Sequence, residues 1–92
     1  MGLAREACPR LANGCRLQEG AASGPVLLMP ERALRLNPPG LRILQLCDGK
    51  RAISEILSAL SAEFPGAQAG RLEEDTLGFL ERLHATRAID LE

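Results

Sequence analysis

Aromatic side chains are almost missing from this 92-residue chain, which has Phe64 and Phe79 but neither Trp nor Tyr. Its core must therefore be built from Leu, Ile, Val and Ala. Histidine is reduced to His84, and the three cysteines, Cys8, Cys15 and Cys47, form no Cys-x-x-Cys pair. An odd, scattered set of thiols fits neither a disulfide framework nor a zinc site, and reads as free thiols in a reducing compartment. The close three-cysteine set of a radical enzyme is absent as well. No glycine loop has phosphate-cradling spacing; Gly66 and Gly70 stand too far apart. No apolar run approaches the ~20 residues needed to span a bilayer. The N-terminus shows no basic stretch leading into an apolar one. The expected location is cytoplasmic, with no membrane partner.

Excess positive charge is also lacking. Eleven basic against twelve acidic residues leave a net charge of −1, which argues against nucleic acid as a partner, because phosphate binding needs a concentrated basic surface. The charge is uneven, however. Residues 1–51 carry eight basic and four acidic side chains, and residues 52–92 carry three and eight. This is a solvated surface or a pair of electrostatic faces that orient a partner.

What remains reads as one small domain. Residues 1–13 show no clear period and are expected to form a loose arm, with residues 1–8 flexible and a single domain over 9–92. Residues 14–19 alternate, with Cys15 and Leu17 facing one way, as in a short half-buried strand. Gly20 to Gly24 suits a hairpin loop. Val26 to Met29 lies between Pro25 and Pro30 and reads as a second strand. After a turn at Glu31-Arg32, Ala33 to Leu36 is a third predicted strand, with Leu34 and Leu36 on one face and Arg35 on the other.

Asn37-Pro38 marks a helix start, and Asp48-Gly49 its end. Ile53, Ile56, Leu57 and Leu60 predict a second helix over 53–63, closed by Pro65-Gly66. Residues 67–70 read as a linker. A third helix is expected over 72–84, with Leu72, Thr76, Phe79, Leu80 and Leu83 on one face. Glu73, Glu74 and Asp75 would then lie in its first turn, where they complement the helix dipole. Ile89 and Leu91 suggest a brief terminal strand. The predicted class is α+β and winged-helix-like: a small three-stranded antiparallel sheet followed by three helices.

Catalysis finds little support. His84 lacks a cysteine brought to it and an orienting third group, and the acidic cluster already has a structural reason. Binding is the more natural expectation. A strand edge offers a row of backbone donors and acceptors to which an extended peptide can add.

The ordered segments Val26-Leu27-Leu28-Met29-Pro30-Glu31-Arg32, Leu36-Asn37, Ile43-Leu44-Gln45-Leu46-Cys47-Asp48-Gly49 and Ile53-Ser54-Glu55-Ile56 resemble the PqqD family. Pro9-Arg10-Leu11, Asp75, Phe79-Leu80 and Leu83 also fit, so the resemblance covers residues 9–92. It implies a RiPP recognition element, a domain that binds the leader of a ribosomally made, enzymatically modified peptide. The implied partners are the precursor peptide PqqA and the radical S-adenosylmethionine enzyme PqqE, which joins a Glu to a Tyr in that peptide in pyrroloquinoline quinone biosynthesis. No cofactor is implied and no catalytic role.

Carried onto this chain, the resemblance places the peptide along Leu34, Arg35 and Leu36, against a helix wall of Asp75, Phe79, Arg82 and Leu83. Plain core packing is the competing role for Phe79 and Leu83. Two departures stand out: no aromatic residue near Met29, and Ala85-Thr86-Arg87-Ala88 where the family usually has a glycine. A recognition domain for another modified peptide, and a winged-helix DNA-binding protein, are the alternatives. The second and third predicted helices are acidic overall, which opposes the latter.

Overall fold

The computed structural model describes residues 3–20, 22, 24–66 and 68–92. Among these the elements run β1 (Pro9–Leu11), β2 (Arg16–Gln18), β3 (Val26–Leu28), β4 (Ala33–Arg35), α1 (Pro38–Leu46), α2 (Ile53–Glu63), α3 (Ala69–Ala85) and β5 (Ile89–Leu91). The second, third and fourth strands form the expected antiparallel meander, in the order β2-β3-β4. The hairpin loop expected over 20–24 and the linker over 67–70 include residues 21, 23 and 67, which lie outside the described residues.

Residues 1 and 2 lie outside the described residues, but residues 3–13 are not the loose arm the sequence suggested. Pro9–Leu11 pairs antiparallel with β5, Pro9 opposite Leu91 and Leu11 opposite Ile89, in a second, two-stranded sheet. Three residues that include a proline show no alternation, and their partner lies at the far end of the chain, so no local pattern could reveal the strand. Cys8 and Glu92 exchange backbone hydrogen bonds of 2.9 and 3.0 Å. Arg10 makes ion pairs with Asp90 and Glu92 across the same sheet.

Residues 3–8 are likewise tied down, and the reason lies in α2. Its N-cap is Ala52, whose methyl group can accept nothing. The Glu55 carboxylate accepts from the Ala52 N–H at 2.9 Å. The next two N–H groups, of Ile53 and Ser54, donate to the carbonyls of Ala7 (2.9 Å) and Arg5 (3.0 Å). The arm thus supplies the acceptors that a capping side chain would normally provide. The Arg5 guanidinium also pairs with Glu73 on α3.

The first helix begins as expected: Asn37 is its N-cap, and its Oδ1 accepts from the Gly40 N–H at 2.8 Å. The helix stops at Leu46. Beyond it Gly49 takes φ +78°, and the Asp48 carboxylate accepts from the backbone N–H groups of Lys50 and Arg51. Those two bonds, with the Arg51 guanidinium adding to them, hold Asp48 below the usual carboxylate range. The third helix starts at Ala69, three residues before the expected position. Glu73, Glu74 and Asp75 therefore sit beyond its first turn, and their dipole role is withdrawn.

The end of α3 accounts for the missing glycine. Ala88 N–H donates to the Leu83 carbonyl at 2.8 Å and Arg87 N–H to His84 at 3.1 Å, the paired bonds of a Schellman motif. Arg87, with φ +64°, occupies the left-handed position where glycine is favoured. The core behind these elements gathers Leu27, Ile43, Leu44, Ile53, Ile56, Leu60, Leu80, Leu83 and Ile89, each side chain contributing about 1.5–3 kcal/mol by burial.

Two stability effects follow. Arg87→Gly should raise the unfolding free energy by roughly 1 kcal/mol, by relieving the left-handed arginine. Removing residues 1–8 should lower it by about 2–4 kcal/mol, through lost helix-capping and strand hydrogen bonds. Urea titration would measure both, with an unchanged m-value for Arg87→Gly and a smaller one for the truncated chain.

Candidate functional site

Strand β4 has a partner on one side only. It pairs with β3, Leu27 opposite Leu34 and Val26 opposite Arg35, and among the described residues no strand adjoins its other edge. The direction of each backbone group follows from the register. Leu36 N–H donates to the Pro25 carbonyl at 3.0 Å, and Met29 N–H to the Arg32 carbonyl at 2.8 Å. Hydrogen-bonded pairs alternate along an antiparallel ladder, so Leu34 belongs to the inward set with Arg32 and Leu36. Ala33 and Arg35 fall between and turn their N–H and C=O groups outward. All three residues of β4 are exposed, with Leu34 at 36% offering an accessible apolar side chain at this edge.

A cleft of about 650 Å³ runs beside this edge. One wall is Leu34, Arg35 and Leu36. The start of α1 forms its end through Pro39 and Gly40, with Ile43 behind. The opposite wall is α3, with Leu72, Asp75, Thr76, Phe79 and Arg82. Gly40 sets how closely these elements approach: a Cβ there would lie 2.8 Å from Asn37 Oδ1 and 3.8 Å from the Phe79 ring. A side chain at this position would push on the cap that starts α1.

Of the seven residues singled out from the sequence, Leu34, Arg35, Leu36, Asp75, Phe79 and Arg82 line this one cleft. Leu83 does not. It is 4% exposed and packs in the core, because it follows Arg82 on the helix and turns about 100° further round, toward α2 and β5. It is withdrawn from the wall. Leu72 and Thr76 share the stripe of Phe79 at helical spacing, so their place in the wall was readable. The contributions of Pro39 and Gly40 depend on how α1 docks and were not.

The cleft holds no catalytic constellation among the described residues. His84 is exposed on the last turn of α3 and does not line it. The Cys47 thiol is buried away from it and pushed up to about 12 by that burial, with the Asp48 charge adding to the effect, so it stays protonated and is a poor nucleophile. Among the described residues no group of three or more His, Cys, Asp or Glu side chains is arranged to hold a metal, and no helix is long and apolar enough to cross a membrane.

A free strand edge, an apolar floor and a helix wall form a receptor for an extended peptide. The model of the family described as coenzyme PQQ synthesis protein D matches residues 24–89. The chain belongs to the PqqD family. Relatives named PqqA binding protein occur in Xanthomonas axonopodis pv. citri, 37% identical with 98% of each chain covered, and in Pseudomonas aeruginosa, 40% identical with 95% of this chain and 94% of the relative covered.

Among solved structures, the fold matches the solution structure of the PqqD part of Methylobacterium extorquens PqqCD, described as a functional, stand-alone RiPP recognition element. That match has a TM-score of 0.76 and 30% identity, covering 98% of this chain and 95% of the other. The crystal structure of PqqD from Xanthomonas campestris matches at a TM-score of 0.55 and 37% identity, covering 94% and 96%.

Among the described residues, one buried side-chain oxygen lining this cleft has no hydrogen-bond partner. Thr76 is 1% exposed and its hydroxyl makes no hydrogen bond. Thr76→Val keeps the shape and removes the orphaned group, and should raise stability by about 1–2 kcal/mol, read as a higher midpoint in urea. A lower midpoint would mean that the hydroxyl is satisfied in solution.

Proposed function

We propose that this chain is a non-catalytic adaptor of pyrroloquinoline quinone biosynthesis, working in the cytoplasm. It binds the precursor peptide PqqA as an added strand on β4 and presents it to the radical S-adenosylmethionine enzyme PqqE. The observation that carries this reading is the outward-facing backbone of Ala33 and Arg35 beside an apolar cleft. The relatives named for binding PqqA support the choice of peptide.

The mechanism is strand addition. The peptide backbone exchanges hydrogen bonds with Ala33 and Arg35, which costs the domain little because those groups are already positioned. Alternate side chains of the peptide then point toward Leu34, Leu36 and Phe79, where apolar burial contributes affinity. Holding the peptide extended also presents its remaining residues to an enzyme as an ordered chain. No chemistry is asked of the adaptor, in keeping with the protonated Cys47 and the exposed His84.

Titrating isotopically labelled protein with synthetic PqqA should shift amides of β4 and α3; shifts confined to other surfaces would contradict the assignment. Arg35→Pro removes one outward donor without touching the ladder to β3. It should weaken binding roughly five-fold, the effect of about 1 kcal/mol for one lost hydrogen bond, as measured by calorimetry. Unchanged affinity in the folded variant would show that Arg35 donates nothing to the peptide.

A further inference from the structure

The cleft is charged as well as apolar, and its charges are ordered. Glu74 and Asp75 stand toward one end of the α3 wall and Arg82 at the other, with Phe79 between. With a helical rise of about 1.5 Å per residue, Phe79 lies roughly 6 Å along the axis from Asp75, and Arg82 roughly 4.5 Å further. Side chains on one face of an extended strand recur about every 6.7 Å. Three alternate residues of an added strand can thus meet Asp75, Phe79 and Arg82 in turn, within the reach of long charged side chains.

Both charges are available. Among the described residues the ion pairs leave Arg82 without a carboxylate partner. Its guanidinium lies back over Gly78, whose missing side chain leaves it room: a Cβ there would be 3.6 Å from the Arg82 nitrogen. Asp75 makes only a 4.0 Å contact with Arg71, and the two side chains are 73% and 77% exposed, so the pair is weak and exchangeable. The cleft also holds Arg35, and its two cations and two carboxylates balance. Net charge therefore cannot select a ligand here, but the order of charges can.

We propose that the cleft selects an extended peptide with a basic, an apolar and an acidic residue at alternate positions, meeting Asp75, Phe79 and Arg82 respectively. This rests on the peptide-binding reading above and adds a charge register to it. A peptide lying the wrong way round would place like charges together at both ends, so the same register sets the direction of the bound chain.

The test uses the full chain and two synthetic peptides of equal composition, Ser-Lys-Ser-Leu-Ser-Glu-Ser and Ser-Glu-Ser-Leu-Ser-Lys-Ser, followed by amide shifts at low salt. One order should bind about five- to ten-fold more tightly than the other, with the preference shrinking as salt rises. The double variant Asp75→Arg with Arg82→Asp should reverse the preference. Arg82→Gln, a milder change, should reduce it. Equal affinity for both orders, unchanged by Arg82→Gln and with β4 amides still shifting, would overturn the charge register and leave the groove standing. If neither these peptides nor synthetic PqqA moved the β4 amides, the peptide-binding reading would fail and the register with it.

Discussion

The outward-facing peptide groups of Ala33 and Arg35 are the constraint on which the rest depends. Backbone donors and acceptors at a sheet edge must be satisfied by water or by another chain. An edge kept at three residues, ending in the proline-led start of α1, is too short to recruit a second copy indiscriminately, yet it remains open to one extended segment. The outer edge of β2 is also without a strand among the described residues. Beside β4 lies an apolar cleft, closed by α3 and the start of α1. The cleft turns a generic edge into a selective one: backbone bonding supplies affinity for any extended chain, and the wall decides which side chains are admitted.

The remainder of the fold holds that wall in place. Leu80 and Leu83 anchor α3 to the core, so that Phe79 and Arg82, one step round the helix, face the cleft. The two-stranded sheet β1-β5 joins the ends of the domain, and its Cys8–Glu92 and Arg10–Glu92 contacts fix where α3 hands over to the terminal strand. The N-terminal arm reaches across to both α2 and α3 through the Ala7 and Arg5 carbonyls and the Arg5–Glu73 pair. A 92-residue chain with two aromatic residues has limited apolar area to bury, and these peripheral hydrogen bonds add order where the core is thin.

Local pattern revealed most of this. The alternation of Leu34, Arg35 and Leu36, the Asn37-Pro38 start and the 72-76-79-83 stripe each describe a structure that forms within a few residues, and each lies close to where it was expected. Long-range or accommodated features were hidden. Pro9–Leu11 becomes a strand only because Ile89–Leu91 is there to pair with it. Ala52 gives no sign that α2 is capped by residues 5–7. Ala69-Gly70 carry no apolar periodicity, so α3 begins earlier than its apolar stripe, and Glu74 and Asp75 change from dipole partners to cleft lining while Glu73 pairs with Arg5. Leu83 shares the stripe with Phe79, but a stripe broad enough to face both cleft and core does not say which member faces which.

The account therefore reduces to whether a peptide backbone pairs with β4. An isotope-edited nuclear Overhauser spectrum of the complex with synthetic PqqA reads this directly. Cross-strand contacts between the peptide and the amide and α protons of Ala33 and Arg35, with side-chain contacts to the Phe79 ring, are the predicted result. A bound peptide whose contacts fall elsewhere, for instance along Ser54, Ser58 and Ser61 of α2, with none to Ala33 or Arg35, would contradict it.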